Sequence, residues 1–167
     1  MLRIPEPMIF ILTAPIQSGK TTSLIKWSAA RNDVHGILTP VIEGKRVFMN
    51  AHTKEQFPME VTGPSSSLRT DVITVGRFVF SKAAFDKAIQ IIRDAIHAGG
   101  WLVIDEIGPM EIREEGFFDV LKEVLMLRKE KIILVVREGM AEQVIKYFNI
   151  NDAETLHDIT TLKKLPG

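Results

Sequence analysis

One eight-residue stretch limits what this chain can become: Ala14-Pro15-Ile16-Gln17-Ser18-Gly19-Lys20-Thr21. It follows Met8-Ile9-Phe10-Ile11-Leu12-Thr13, a short run that is apolar on both faces, as a buried parallel strand is. It opens Gly19 to Arg31, which reads as a helix with Leu24, Ile25 and Trp27 on its apolar side. Strand, loop, Gly-Lys-Thr, helix is the arrangement of a phosphate-binding P-loop. Such a loop turns successive backbone N–H groups onto phosphate oxygens, and the helix N-terminus adds its positive dipole end. Gly19 lets the chain wrap closely, Lys20 reaches the β- and γ-phosphates, and the Thr21 hydroxyl is placed to ligate Mg²⁺. Ala14 stands where the first glycine is usual, and Pro15 has no N–H to give. The cradle is therefore expected from Gln17, Ser18, Gly19, Lys20, Thr21 and Thr22.

Beyond the loop, strand-like and helix-like segments alternate. Strands are expected over Gly36 to Ile42, Trp101 to Ile104 and Lys131 to Val136. Ser81 is placed to cap a helix carrying Phe85, Ala88, Ile89, Ile92 and Ile96 at helical spacing, with Gly99-Gly100 beyond it. Further helices fit Gly116 to Lys129 and Met140 to Phe148. This alternation predicts βαβ units and a mainly parallel sheet covered on both faces. The stretch from 43 to 80 differs. A tight turn at Glu43-Gly44-Lys45 leads to β-like runs at Arg46 to Asn50, Phe57 to Val61 and Val72 to Phe80, with a mobile loop expected at Gly63 to Ser67. It reads as a β-rich hairpin insertion at one edge of a single domain spanning residues 1–167.

A second motif closes the site. Gly100-Trp101-Leu102-Val103-Ile104-Asp105-Glu106 is a buried strand ending in two carboxylates. Ligands of open α/β sheets bind beyond the carboxyl ends of the strands. There Asp105 is suited to the Mg²⁺ shell, and Glu106 to a general base that polarises an attacking water. Successive strand residues point to opposite faces, so the two carboxylates are expected to do different work. Together the two motifs predict a nucleoside-triphosphate site with Mg²⁺ as cofactor.

Composition removes several alternatives. The 21 Lys+Arg balance 21 Asp+Glu, which argues against a nucleic-acid partner or an anionic membrane surface. The half that holds the phosphate loop is net basic, with 10 basic and 6 acidic residues up to position 83, and the half that holds the acid pair is net acidic, with 11 and 15. Without cysteine there is no disulfide framework and no thiolate zinc site. His35, His52, His97 and His157 lack ligand spacing. The apolar runs are too short for a membrane helix, and Pro5, Glu6, Pro7 and Pro15 interrupt anything like a signal peptide. A cytoplasmic protein is expected.

The sequence resembles the small nucleoside-triphosphatase family of thermophile and human cancer-related type. Four segments carry the likeness: the phosphate loop, Gly36-Ile37-Leu38-Thr39-Pro40, Val75-Gly76-Arg77-Phe78, and Ile104-Asp105-Glu106-Ile107-Gly108-Pro109-Met110-Glu111. Ala14 departs from the family pattern, and so does Leu38, where an aromatic is expected. The resemblance implies a three-layer α/β/α P-loop NTPase fold with a RecA-like sheet, and slow Mg²⁺-dependent hydrolysis with little choice of base. It makes Glu106 the catalytic base, and Glu111 either a second carboxylate near the site or a residue that caps the loop. Phosphoryl transfer also calls for positive charge beyond Lys20. Arg137, which follows the Lys131 to Val136 strand, is the first candidate, with Arg77 and Arg113 as alternatives.

Two other readings share these motifs: a kinase that passes phosphate to a small acceptor, and a nucleotide-dependent switch acting on a protein partner. The stretch 138–150 lacks the arginine-rich lid usual in such kinases. No Asn-Lys-x-Asp motif reads guanine, so nothing favours GTP over ATP.

Overall fold

The computed structural model describes residues 8–15, 18–63, 69–157, 161 and 165 of the chain. Its centre is a set of parallel strands: β1 (Ile9–Leu12), β2 (Val34–Leu38), β8 (Trp101–Ile107), β9 (Lys131–Val136) and β10 (Glu154–Leu156). They lie in the order β10-β1-β9-β8-β2. Every residue of β1 is buried, as is nearly all of β8 and β9. That explains their continuous apolar runs, because a strand covered on both faces has no polar side to alternate with.

Period-two alternation sorts these side chains into two layers. Phe10, Leu12, Trp101, Val103, Ile133 and Val135 face α1 (Lys20–Ala29) and meet its Leu24. Ile11, Leu102, Ile104, Ile132 and Leu134 face the other way. There they meet Phe85 and Ile92 of α2 (Lys82–Asp94), Leu121 and Val124 of α4 (Phe118–Leu127), and Val144 of α5 (Ala141–Tyr147). The result is the expected α/β/α sandwich. Ser81 caps α2 as its position implied, its hydroxyl accepting the Ala84 N–H at 3.1 Å. A four-residue helix, α3 (Pro109–Ile112), follows β8 directly.

The β-rich region differs from its expected form in three ways. The run Gly36 to Ile42 is not one strand. β2 ends at Leu38, and after Thr39-Pro40 the short β3 (Val41–Ile42) pairs antiparallel with β4 (Lys45–Asn50). Proline cannot continue a ladder, and Glu43 and Gly44, at φ 52° and 77°, make the two-residue turn between them. Next, β4 does not keep to a hairpin of its own: at the edge of the main sheet it lies antiparallel beside β2 and carries β5 (Gln56–Pro58) on its far side. Finally, Val72 to Phe80 is a hairpin of β6 (Val72–Val75) and β7 (Phe78–Ser81) about Gly76-Arg77. Gly76, at φ 59°, makes that reversal. Of the loop expected at Gly63 to Ser67, residues from Pro64 on lie outside the described residues.

β10 had no sequence signal of its own, since Glu154-Thr155-Leu156 is too short for periodicity to register. It covers the open edge of β1, and Leu156 accepts the Thr13 N–H at 2.9 Å. Arg128, just past α4, is fully buried. It donates to the carbonyls of Ala95, Ile96, Ala98, Gly100 and Lys131 at 2.8–3.1 Å, binding the end of α2 to the starts of β8 and β9. No described helix is long and apolar enough to cross a membrane.

Candidate active site

The carboxyl ends of β1, β9 and β8 lie side by side, and the chain leaves each of them with functional side chains. From β1 it enters the phosphate loop. Gly19 precedes α1 in the left-handed conformation, at φ 86°, which turns the backbone into the first helical turn. The Ser18 N–H reaches the Pro15 carbonyl at 3.0 Å, and the buried Ser18 hydroxyl has no partner among the described residues. A bound phosphate oxygen would supply one. Gln17 lies outside the described residues, and Thr22 is exposed on the first turn of α1.

Lys20 is buried, and its Nζ donates to the Ala14 carbonyl at 3.0 Å. The same Nζ stands 3.8 Å from Glu106 Oε2. The Thr21 hydroxyl donates to Asp105 Oδ2 at 2.8 Å, joining two motifs 84 positions apart in sequence. Asp105 Oδ2 also accepts the Thr39 N–H at 3.1 Å. Burial pushes the Asp105 carboxyl up from the ordinary range, against the pull of the Thr21 and Thr39 hydrogen bonds and the Lys20 charge.

Asp105 and Glu106 do part company. The β8–β9 register slips here, with Asp105 opposite Val135 and Ile107 opposite Val136, so Glu106 has no opposite number in the ladder. Asp105 is buried and bonded to Thr21 of α1, whereas Glu106 stays partly open; both line a cavity on the α2 side. Burial and the neighbouring Asp105 charge raise the Glu106 carboxyl above its usual range, opposed by Lys20, Arg46 and Arg137. A raised carboxyl is a better proton acceptor near neutral pH.

The expected positive charge is there, in part from an unexpected source. Arg137 follows β9, and its N–H bonds the Ile107 carbonyl at 2.9 Å; its side chain lines the same cavity as Glu106. Arg46 of β4 lines it too, with its guanidinium over the Phe78 ring at 5.1 Å. Sequence reasoning had no signal for Arg46, because an arginine in a β-like run carries no motif. Arg77 is exposed on the hairpin turn, over the outside of Phe78, and Arg113 is exposed beside Glu115. Neither lines the cavity.

Glu111 is placed as a clamp. It is 3% exposed, and its two oxygens accept the N–H groups of Gly108 at 2.8 Å and Phe117 at 3.0 Å, one on each side of α3. Burial raises its carboxyl to about 7 despite those bonds. Gly116 leaves it the space: a Cβ there would stand 2.3 Å from Glu111 Oε2.

The donor set suits Mg²⁺, which typically takes one or two protein oxygens and fills its remaining positions with phosphate and water. The coupled Thr21 hydroxyl and Asp105 carboxylate provide that, and the described residues hold no cluster of three or more metal-ligating side chains.

Residues 9–164 match the model of a protein family described as NTPase. No curated protein matches the chain. Among solved structures, the chain is similar to the solution structure of a human cancer-related nucleoside triphosphatase, at 21% identity and a TM-score of 0.71 over 94% of each chain. It is similar also to the crystal structure of THEP1 from the hyperthermophile Aquifex aeolicus, at 17% identity and a TM-score of 0.71, covering 94% of this chain and 96% of that one. At these identities the structural likeness speaks for the fold.

Proposed function

The chain belongs to the NTPase family and is a nucleoside triphosphatase, and from that premise we propose that it hydrolyses nucleoside 5′-triphosphates to diphosphate and phosphate with Mg²⁺ and broad tolerance of the base. The observation that carries this reading is the Thr21–Asp105 hydrogen bond, which brings the phosphate loop and the acid pair into one site with Lys20 against Glu106.

In this reading the backbone from Ser18 to Thr22 cradles the phosphates, with Gln17 as its further member, and Lys20 gives its charge to the β- and γ-phosphates. Thr21 and Asp105 would hold Mg²⁺, whose chemistry is to bridge phosphate oxygens and offset their charge. Glu106 orients the attacking water and takes its proton on the carboxylate. Arg137, with Arg46 beside it, offsets charge on the transferred group. Glu111 acts through the loop it holds. Breadth of base follows from recognition concentrated on phosphate, with no guanine-reading motif. The cysteine-free sequence suits a reducing compartment, so we place the enzyme in the cytoplasm as a single domain.

Phosphate release from ATP, GTP, CTP and UTP, with and without Mg²⁺, tests the reaction. Glu106→Gln should keep nucleotide affinity while turnover falls by at least about 100-fold, the scale of lost general-base catalysis. Turnover at the wild-type rate would remove Glu106 from the role of base. Lys20→Ala should weaken nucleotide binding itself.

A further inference from the structure

Arg46 lines the cavity beside Glu106 with a long side chain that very little holds. Its backbone is fixed: Arg46 of β4 stands opposite Val41 of β3, and the Glu60 carboxylate accepts the Arg46 N–H. Its guanidinium, by contrast, has no hydrogen bond or ion pair among the described residues. An arginine without a partner samples many rotamers, so its charge is spread over many positions. One contact narrows that spread. The guanidinium carbon lies 5.1 Å from the centre of the Phe78 ring, within the range at which a cation is drawn to an aromatic face.

Phe78 itself is held from several directions. Its ring lies nearly parallel to that of Phe80, at 5.9 Å and 7°, and Phe80 is buried in the core. β7 pairs with β6 on one side and meets residues 59–61 on the other. There the Val61 N–H donates to the Val79 carbonyl and the Ser81 N–H to the Met59 carbonyl, each at 2.8 Å. Glu60 belongs to that second segment and lies opposite Phe80. The carboxylate that pins the Arg46 backbone and the ring beneath its guanidinium therefore come from one hydrogen-bonded unit. That unit grips the arginine at both ends.

We propose that Phe78 is a positioning residue for hydrolysis, its ring holding the Arg46 guanidinium toward the Glu106 end of the cavity. The inference rests on the reading of Arg46 as a group that offsets charge on the transferred phosphoryl, and adds how that group is aimed. Phe78 acts through the arginine and needs no contact with nucleotide or water. A cation stabilises a transition state most when it is in place beforehand, because no reorganisation is then needed at the moment of transfer. Without the ring the arginine remains but loses its aim. Turnover then falls, while nucleotide affinity, set at the phosphate loop, does not.

The test measures kcat for ATP with Mg²⁺, and the Kd of a non-hydrolysable ATP analogue, in variants of the full chain. Arg46→Ala should lower kcat by about 100-fold or more, the scale of one lost charge-stabilising donor. Phe78→Leu should lower it about tenfold and keep Kd within about twofold, whereas Phe78→Tyr, which keeps the ring, should retain at least about half the rate. In the Arg46→Ala background, Phe78→Leu should change kcat by less than about twofold, because no guanidinium is left to aim. A ring that only packs the hairpin would lower kcat by the same factor in both backgrounds, and that result overturns the inference. Wild-type kcat in folded Phe78→Leu, with Arg46→Ala slow, also overturns it and leaves the Arg46 reading standing. Wild-type kcat in Arg46→Ala removes both. Arg77 is the control, since its guanidinium lies 5.0 Å from the same ring but does not line the cavity. Arg77→Ala should keep kcat within about twofold, and a fall equal to that of Phe78→Leu would assign the ring to the other cation. Should Phe78→Leu fail to fold, Phe78→Met serves in the same cycle, its flexible side chain filling the gap without a ring.

Discussion

Glu111 spends both carboxylate oxygens on the backbone beside the candidate site. Its oxygens hold the N–H groups of Gly108 and Phe117, which fixes the chain leaving Glu106. The folded protein holds this carboxyl proton up to about pH 7, whereas an unfolded glutamate releases it near 4.5. The folded state therefore binds more protons between those values. The stability from Glu111 is full below about pH 4.5 and is lost as pH rises through 7, an effect of at most about 3 kcal/mol. Denaturant unfolding of the wild type against Glu111→Gln from pH 5 to pH 8 measures it. The variant should lose this part of the pH slope. It should also be less stable by about 1–3 kcal/mol, since the Phe117 N–H then faces an amide that cannot accept through both ends. Residue identities at the phosphate loop and the acid pair were readable because those chemistries allow few residue types at fixed spacing. Arg46 was not, because an arginine on a strand carries no periodic or motif signal; only pairing of β4 with β2 brings it to the cavity.

The elements were legible where burial is strong and lengths are ordinary. The expected Lys131 to Val136 coincides with β9, and the apolar stripes of α2 and α4 face the core as spaced. Errors fell where a single breaker sits inside an apolar run, as Pro40 does between β2 and β3 and Gly76 between β6 and β7. The β6–β7 reversal is made by Gly76-Arg77 inside a run that reads as one strand. Arg128 marks another gap, since a charged residue beyond a helix end normally reads as solvated. Buried instead, it satisfies five carbonyls and carries positive charge to the C-terminal end of α2, where the helix dipole favours it. Desolvation pulls its pKa below the usual arginine range. Arg128→Met should leave several buried acceptors unpaired and lower stability by about 3 kcal/mol or more. Its effect on nucleotide affinity should be small, because the guanidinium contacts the amino ends of β8 and β9, away from the phosphate loop. Chemical unfolding and nucleotide titration of the one variant separate these outcomes.

For the molecule as a whole, nucleotide should act as a brace. A non-hydrolysable ATP analogue at a hundredfold its Kd should add about 2.7 kcal/mol to stability, or roughly 5–10 °C in Tm for a chain of this size. The gain should depend on Mg²⁺ and vanish in Lys20→Ala. A thermal scan without such a shift would contradict the assignment of the phosphate loop. The layered α/β plan was readable from alternating segments, whereas strand order was not, since nothing local tells β9 to enter between β1 and β8 or β10 to close the edge.

That strand order has a consequence during synthesis. β1 emerges from the ribosome well before its neighbours, since the strands on both its sides come from residues 131–136 and 154–156. At about 5–20 residues per second, the apolar Ile9–Leu12 segment waits on the order of ten seconds for its first partner. Until then its apolar side chains lack their sheet neighbours, which makes the segment a client for a co-translational chaperone.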